Sequence, residues 1–168
     1  MPERTIRRSH FFICNYSIPH LLIMLKPHIP HMRAAIEIAE KHQTPFGAAL
    51  SMGDEIFVTA ANQTSELHDP TAHAEVMAIR KLGQHLQKTD ISGFTLYTTC
   101  EPCPMCMGAA IWAKIDAIFY GSDIATISTY MDQIDLTAES INQKSFHQPE
   151  IKGGVLSDLT EDLLKMYS

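Results

Sequence analysis

Cys100-Glu101-Pro102-Cys103-Pro104-Met105-Cys106, read together with His73-Ala74-Glu75 upstream, decides how the rest of the chain is organised. Three cysteines recur at spacing three and open an apolar run from Met107 to Ala113. Such a run reads as a helix, and a helix N-terminus can aim two thiolates at one ion where the dipole favours negative charge. Zinc prefers soft anionic donors of this kind. A closed structural site needs four protein ligands. The best count here is His73 plus two cysteines, which leaves a fourth position for water and points to catalysis. Spacing alone does not say which two cysteines serve, because Cys100 with Cys103 is spaced as well as Cys103 with Cys106.

Three other readings compete. A lone Cys-x-x-Cys is as often redox-active or structural, and a structural zinc would need some distant fourth ligand. A Cys-x-x-Cys-x-x-Cys run also opens iron–sulfur sites, but that pattern requires a fourth cysteine where Ala110 stands. The other eight histidines are scattered and read as surface or satisfied polar residues.

Working outward, Phe94 to Thr98 reads as a buried strand that delivers the cysteines at its carboxyl end, where ligand sites belong. Asp69-Pro70-Thr71 offers a helix start, and Val76, Met77, Ile79 and Leu82 carry that helix to about His85. His73 and Glu75 then sit near its first turn, where both can face one site. Upstream, Met32, Ile36 and Ala39 mark a helix from Ile29 to about Thr44-Pro45, and Phe46–Met52 and Ile56–Ala61 form a hairpin around Gly53-Asp54-Glu55. Residues 62–69 and 84–93 read as polar loops. Downstream come a strand over Ala117–Tyr120, helix and loop over 122–142, an irregular stretch, a candidate edge strand over 151–156, and a closing helix over 159–166. Strands alternating with helices argue a layered α/β domain.

The chain has 168 residues with an apolar fraction of 45%, which suits one domain over 29–168 with a sizeable core. Four cysteines, three of them this close together, make better ligands than disulfides, so the expected setting is reducing and cytoplasmic. A net charge of −6 weighs against a broad nucleic-acid footprint. Residues 1–28 read as a poorly ordered extension, with Met24 a plausible natural start. Arg4, Arg7 and Arg8 followed by apolar residues faintly suggest a leader, but Asn15, Ser17, Pro19 and His20 interrupt the run. It also falls short of the roughly 18 apolar residues of a membrane span.

The pairing of His-x-Glu with Pro-Cys-x-x-Cys is a signature of zinc nucleobase deaminases, and over about residues 30–167 the chain resembles the cytidine deaminase superfamily. The resemblance implies a three-layer α/β/α sandwich around a mixed five-stranded sheet, and a homodimer paired through helices near the site. It selects His73, Cys103 and Cys106 as Zn²⁺ ligands and leaves Cys100 as a strand-end residue. It also casts Glu75 as the acid and base that moves protons between water, ring nitrogen and departing amine. A neutral imidazole and two thiolates bring the Zn²⁺ site near electroneutrality, yet the ion can still lower the pKa of a bound water to about 7.

Asp69-Pro70-Thr71-Ala72-His73-Ala74-Glu75 is similar to two branches, bacterial tRNA adenosine deaminases and small bacterial guanine deaminases. Cys100–Cys106, Ile111-Trp112-Ala113 and Phe119-Tyr120 lean toward the guanine branch, as do the missing glycine-rich segment after the fourth strand and the lack of a basic tail. The substrate contacts this implies are Asn62 as a polar orienter, Phe46 and Trp112 as apolar walls, and Ala74. Tyr167 is implied as a lid residue of the C-terminal segment. The guanine branch reads the base edge with an acidic pair after the fourth strand, and here Asp132-Gln133 aligns with a gap, so Asp132 is the candidate, with Asp135 behind it. The expected reaction is guanine to xanthine and ammonia. The alternatives are tRNA adenosine or another nucleoside, and a noncatalytic zinc-binding interaction protein in which Glu75 would be dispensable.

Overall fold

A computed structural model describes residues 26–168; the expected N-terminal extension, up to residue 25, lies outside the described residues. The elements run α1 (Ile29–Lys41), β1 (Gly47–Met52), β2 (Glu55–Ala61), α2 (Thr64–Leu67), α3 (Ala74–Leu86), β3 (Thr95–Cys100), α4 (Pro104–Trp112), β4 (Ala117–Ser122), α5 (Ile124–Ile127), α6 (Ala138–Asn142), β5 (Glu150–Lys152) and α7 (Ser157–Tyr167). The sheet order is β2-β1-β3-β4-β5, with β1 antiparallel to both β2 and β3, and β4 parallel to both β3 and β5. This is the mixed five-stranded α/β fold expected.

Alternation along the strands makes the layers. Successive side chains of a strand point to opposite faces. Leu96 and Ile118 therefore join Ala78, Leu82, Met107 and Ile111 of α3 and α4 in one core, whereas Tyr97 and Phe119 meet Met32, Ile36 and Leu163 of α1 and α7 in the other. Gly47 sits where α1 crosses β1, and a Cβ there would lie 2.0 Å from Ala35 O, so only glycine lets the helix approach this closely.

The structure departs from the sequence reading at α3. Asp69 does not cap this helix. Its Oδ1 accepts hydrogen bonds from Thr71 N (2.8 Å) and Thr71 Oγ1 (2.6 Å), and its carbonyl accepts Ala72 N, which closes a turn of its own. The helix begins four residues later with His73 in the N-cap position. The expected polar loop at 62–69 contains the single turn α2, and α3 runs on to Leu86 before Gln87 ends it in a left-handed conformation (φ 54°). The edge strand is shorter than expected and starts at Glu150, so α7 begins at Ser157.

Candidate metal centre and its pocket

Two helix N-termini converge at the carboxyl end of β3. His73 is the N-cap of α3 and Glu75 lies in its first turn; Cys103 is the N-cap of α4, Pro104 its first residue, and Cys106 lies in its first turn. Proline at the first helical position lacks only an N–H that would be unpaired anyway, so the turn forms without loss. Both helix dipoles present their positive ends here, which favours thiolates and carboxylates over neutral forms.

His73 Nδ1 lies 3.7 Å from Cys103 Sγ and 3.6 Å from Cys106 Sγ, and the three donor atoms all fall within 4.8 Å of one another. Zinc bonds of about 2.3 Å to sulfur and 2.0 Å to nitrogen at tetrahedral angles put sulfur and nitrogen roughly 3.6 Å apart, so the donor set fits that ion. Donation from the Cys106 thiol and the nearby His73 hold the Cys103 thiol down at about 4, while the contact with Cys103 and burial push the Cys106 thiol up. His73 is raised chiefly by its contact with Cys103. The Cys100 thiol is buried and pushed up by that burial, which suits a strand-end residue and not a ligand.

Glu75 is buried at 5% exposure, and among the described residues no lysine or arginine pairs with it. Its Oε1 accepts a hydrogen bond from Thr98 Oγ1 at 3.2 Å, and its Oε2 accepts one from Cys106 Sγ at 3.4 Å. Burial raises the carboxyl above its ordinary range. A carboxyl raised above its ordinary range, oriented by a hydroxyl and beside a metal-ligating set, is suited to both taking and giving a proton.

A cavity of about 30 Å³ opens beside these groups, lined by Phe46, His73, Glu75, Glu101, Cys103 and Gln133 among others. It has room for one or two waters but not for a base, so a base-sized ligand enters only by displacing a wall. One wall is the irregular stretch between α5 and α6 that carries Gln133. Larger cavities lie elsewhere. One of about 340 Å³ runs along α3 and α4, and one of about 420 Å³ lies between α1 and α7; neither contains the convergent donors found here.

Of the sequence candidates, His73, Glu75, Cys103, Cys106 and Phe46 come together at this cavity. Asn62 stands next to Phe46 through a backbone hydrogen bond to the Phe46 carbonyl, and its amide donates to Thr64 Oγ1. Ala74 is fully buried in the core under α3. Four candidates lie elsewhere. Trp112 is 76% exposed and packs on Phe146, at the end of α4 remote from the cysteines. Tyr167 is partly buried against the α1/α7 core and does not line this cavity. Asp132 and Asp135 are exposed, and Gln133 between them lines the cavity instead.

Sequence reasoning missed Gln133, Thr98 and Glu101. Thr98 was findable, since a strand period of two puts it on the same face as Leu96, toward α3. Gln133 lies in an irregular loop whose spacing carries no such signal.

The conserved-domain description that matches residues 25–122 is the cytidine and deoxycytidylate deaminase zinc-binding region. Guanine deaminase of Bacillus subtilis (strain 168) is 46% identical over 79 residues, 47% of this chain and 51% of that protein, so the match spans about half of that relative's length. The tRNA-specific adenosine deaminase of the same organism is 30% identical over 141 residues, 82% of this chain and 86% of that one. A solved structure of a guanine deaminase from Nitrosomonas europaea superposes with a TM-score of 0.77 at 22% identity, over 85% of each chain, which supports the fold. Zinc is the cofactor that the matched region and the His/Cys/Cys donor set have in common.

Proposed function

The chain belongs to the cytidine and deoxycytidylate deaminase family, and from that footing we propose that it hydrolyses the exocyclic amine of a free purine base, guanine plus water giving xanthine plus ammonia. The observation that carries the hydrolytic reading is the buried Glu75 carboxylate placed 3.4 Å from Cys106 Sγ, inside a donor set that fits zinc. His73, Cys103 and Cys106 hold the ion. When bound, zinc supplies the Lewis acidity that makes water a nucleophile near neutral pH.

The protein's own groups do the rest. Glu75 Oε2 takes a proton from the attacking water and passes it to the ring nitrogen beside the attacked carbon, then takes the second proton from the hydroxyl now on that carbon and delivers it to the amine, which departs as ammonia. Thr98 Oγ1 holds the other carboxylate oxygen, so that Oε2 faces the reacting atoms. Phe46 offers an apolar face for a flat ring, and Gln133 lines the cavity beside it.

Guanine is favoured by the 46% identity to a guanine deaminase and by the net charge of −6, which suits a small substrate better than a polyanion. The second reading, tRNA adenosine, draws on the relative whose match covers 82% of this chain. We also propose a homodimer through the face around Trp112 and Phe146, two large aromatics 76% and 66% exposed with ring centroids 4.9 Å apart. A reducing, cytoplasmic location remains the proposal for the cysteines; among the described residues no helix is long and apolar enough to cross a membrane. Ammonia release from guanine, adenine, cytosine, guanosine, cytidine and a tRNA anticodon stem-loop tests the substrate. Turnover of guanine alone supports the reading, and turnover of the stem-loop without guanine replaces it with the tRNA reading. No turnover on any of them would favour a noncatalytic zinc protein.

A further inference from the structure

Two walls of the cavity beside Glu75 are held by different means. The segment that carries Gln133 is fastened by Glu101, which accepts Ile124 N at 2.9 Å and Ala138 N at 2.8 Å, and by Tyr130 Oη, which donates to Glu161 Oε1 at 2.9 Å. Phe46, the apolar wall, lies just before β1, where pairing with β3 has already ended: the register runs from Ser51 with Thr95 to Ala48 with Thr98. One residue further along β3, a side chain takes over from the backbone. Thr99 Oγ1 accepts Gly47 N at 3.0 Å and donates to the Pro45 carbonyl at 2.7 Å, with the Gly47 carbonyl further off at 3.4 Å. One fully buried hydroxyl thus holds the residues on both sides of Phe46. The Phe46 carbonyl in turn accepts Asn62 N at 3.1 Å, and the ring packs against the cluster of Cys100, Ile127 and Leu164.

We propose that Thr99 is a positioning residue for substrate binding: it sets where the Phe46 ring stands, and so how tightly the pocket holds a flat base. The inference rests on the base-deaminase reading above. Thr99 lines no part of the cavity, so it acts only through its neighbour. Successive residues of a strand face opposite ways. Thr98 Oγ1 therefore reaches Glu75 on one side of β3, while Thr99 Oγ1 reaches the backbone around Phe46 on the other. Two adjacent hydroxyls divide the work, the first orienting the proton carrier and the second the wall on which the ring lies. Valine keeps the branched shape of threonine without the hydroxyl. In Thr99→Val a buried N–H and a buried carbonyl lose this partner, and the backbone around Phe46 is released to shift. A small shift is enough, because a gap of about 0.5–1 Å forfeits roughly a quarter to a half of the dispersion contact between ring and wall.

The test measures kcat and KM for ammonia release from guanine in the zinc-loaded wild type, Thr99→Val, Thr99→Ser, Phe46→Ala and the Thr99→Val/Phe46→Ala double variant, well below each melting temperature and with zinc content checked. Thr99→Val is expected to raise KM about tenfold with kcat held within about twofold, the pattern of lost ground-state binding. Thr99→Ser keeps the hydroxyl and is expected to stay within about threefold of the wild type in KM. Because Thr99 acts through the ring, the double variant is expected to show the KM of Phe46→Ala alone, whereas independent effects would multiply. An unchanged KM in Thr99→Val, an equal loss in Thr99→Ser, a fall in kcat alone, or multiplied effects in the double variant overturns the assignment while the guanine reading stands. A Thr99→Val protein that does not fold, or that loses its zinc, shows a merely structural role and overturns it as well. A wild type that turns over another base but not guanine replaces the guanine reading, and the same ratios on that base then decide the assignment. A wild type that turns over no base overturns both.

Discussion

The buried carboxylate of Glu101 accepts a 2.8 Å hydrogen bond from the backbone N–H of Ala138, 37 positions further along the chain. Its other oxygen accepts Ile124 N, so the cysteine segment and the two short helices that follow β4 share one anchor. Glu101→Ala leaves both N–H groups without their acceptor at a site only 6% exposed. Hydrogen bonds to charged groups contribute about 1.5–3 kcal/mol each, so the expected loss is about 3 kcal/mol. For a chain of this size that lowers the melting temperature by roughly 6–12 °C. Glu101→Gln keeps one acceptor and should lose about half as much. Urea denaturation of the three proteins checks the order; equal stability of wild type and Glu101→Ala would show that the anchor carries no load.

Glu75→Gln keeps the shape of the side chain and its hydrogen bond from Thr98, but removes the group that moves the proton. Positioned general acids and bases contribute about 10²–10⁴-fold, so kcat is expected to fall by that range while bound zinc stays near one per chain. Thr98→Val should act through Glu75, lowering kcat severalfold with KM little changed. Steady-state kinetics paired with metal analysis separates these outcomes. Full turnover by Glu75→Gln would remove Glu75 from the mechanism.

How far the sequence carried can be read from these residues. His73, Glu75, Cys103 and Cys106 were legible because their spacing is a chemical constraint: two helix starts must bring soft donors and one carboxylate to a single ion. The layer order was legible for a similar reason, since Leu96 and Tyr97 must part to opposite faces of β3. Trp112 was not, because α4 is apolar on nearly every side and its pattern does not say which face looks outward. That Gln133 and not Asp132 turns toward the cavity was not legible, because an irregular loop has no period. Which side chain turns inward there is set by anchors at Glu101 and Glu161, far away in sequence.

The exposed pair Trp112 and Phe146 gives the homodimer proposal a direct check. Burying both rings between two copies would remove large apolar areas from water at about 25 cal/mol per Å². Trp112→Glu places a charge at the centre of that face and is expected to shift a dimer mass to the monomer mass at micromolar concentration. Sedimentation velocity on both proteins reads this. A wild-type chain that is monomeric at the same concentration would sink the proposal without touching the active-site assignment, because neither ring lines the site cavity.

Metal removal should expose the thiols in an order set by burial. Cys103 is half-buried at the N-terminus of α4, Cys106 is buried one turn in, and Cys100 is buried at the end of β3. Thiols at helix N-termini favour the reactive thiolate, whereas a thiol sunk in apolar surroundings is inert. After chelation, a thiol-alkylating reagent is expected to label Cys103 first, then Cys106, and to leave Cys100 unmodified in the folded protein. Restoring zinc before the reagent should protect both Cys103 and Cys106, since each would be coordinated. Stability should move in parallel: an ion present at about a thousand times its dissociation constant adds about 4 kcal/mol, which chelation would remove. Peptide mapping by mass spectrometry assigns each label to its residue. Labelling of Cys100 together with Cys103, or no protection of Cys106 by zinc, would show that spacing had been resolved onto the wrong pair and that Cys106 is not a ligand.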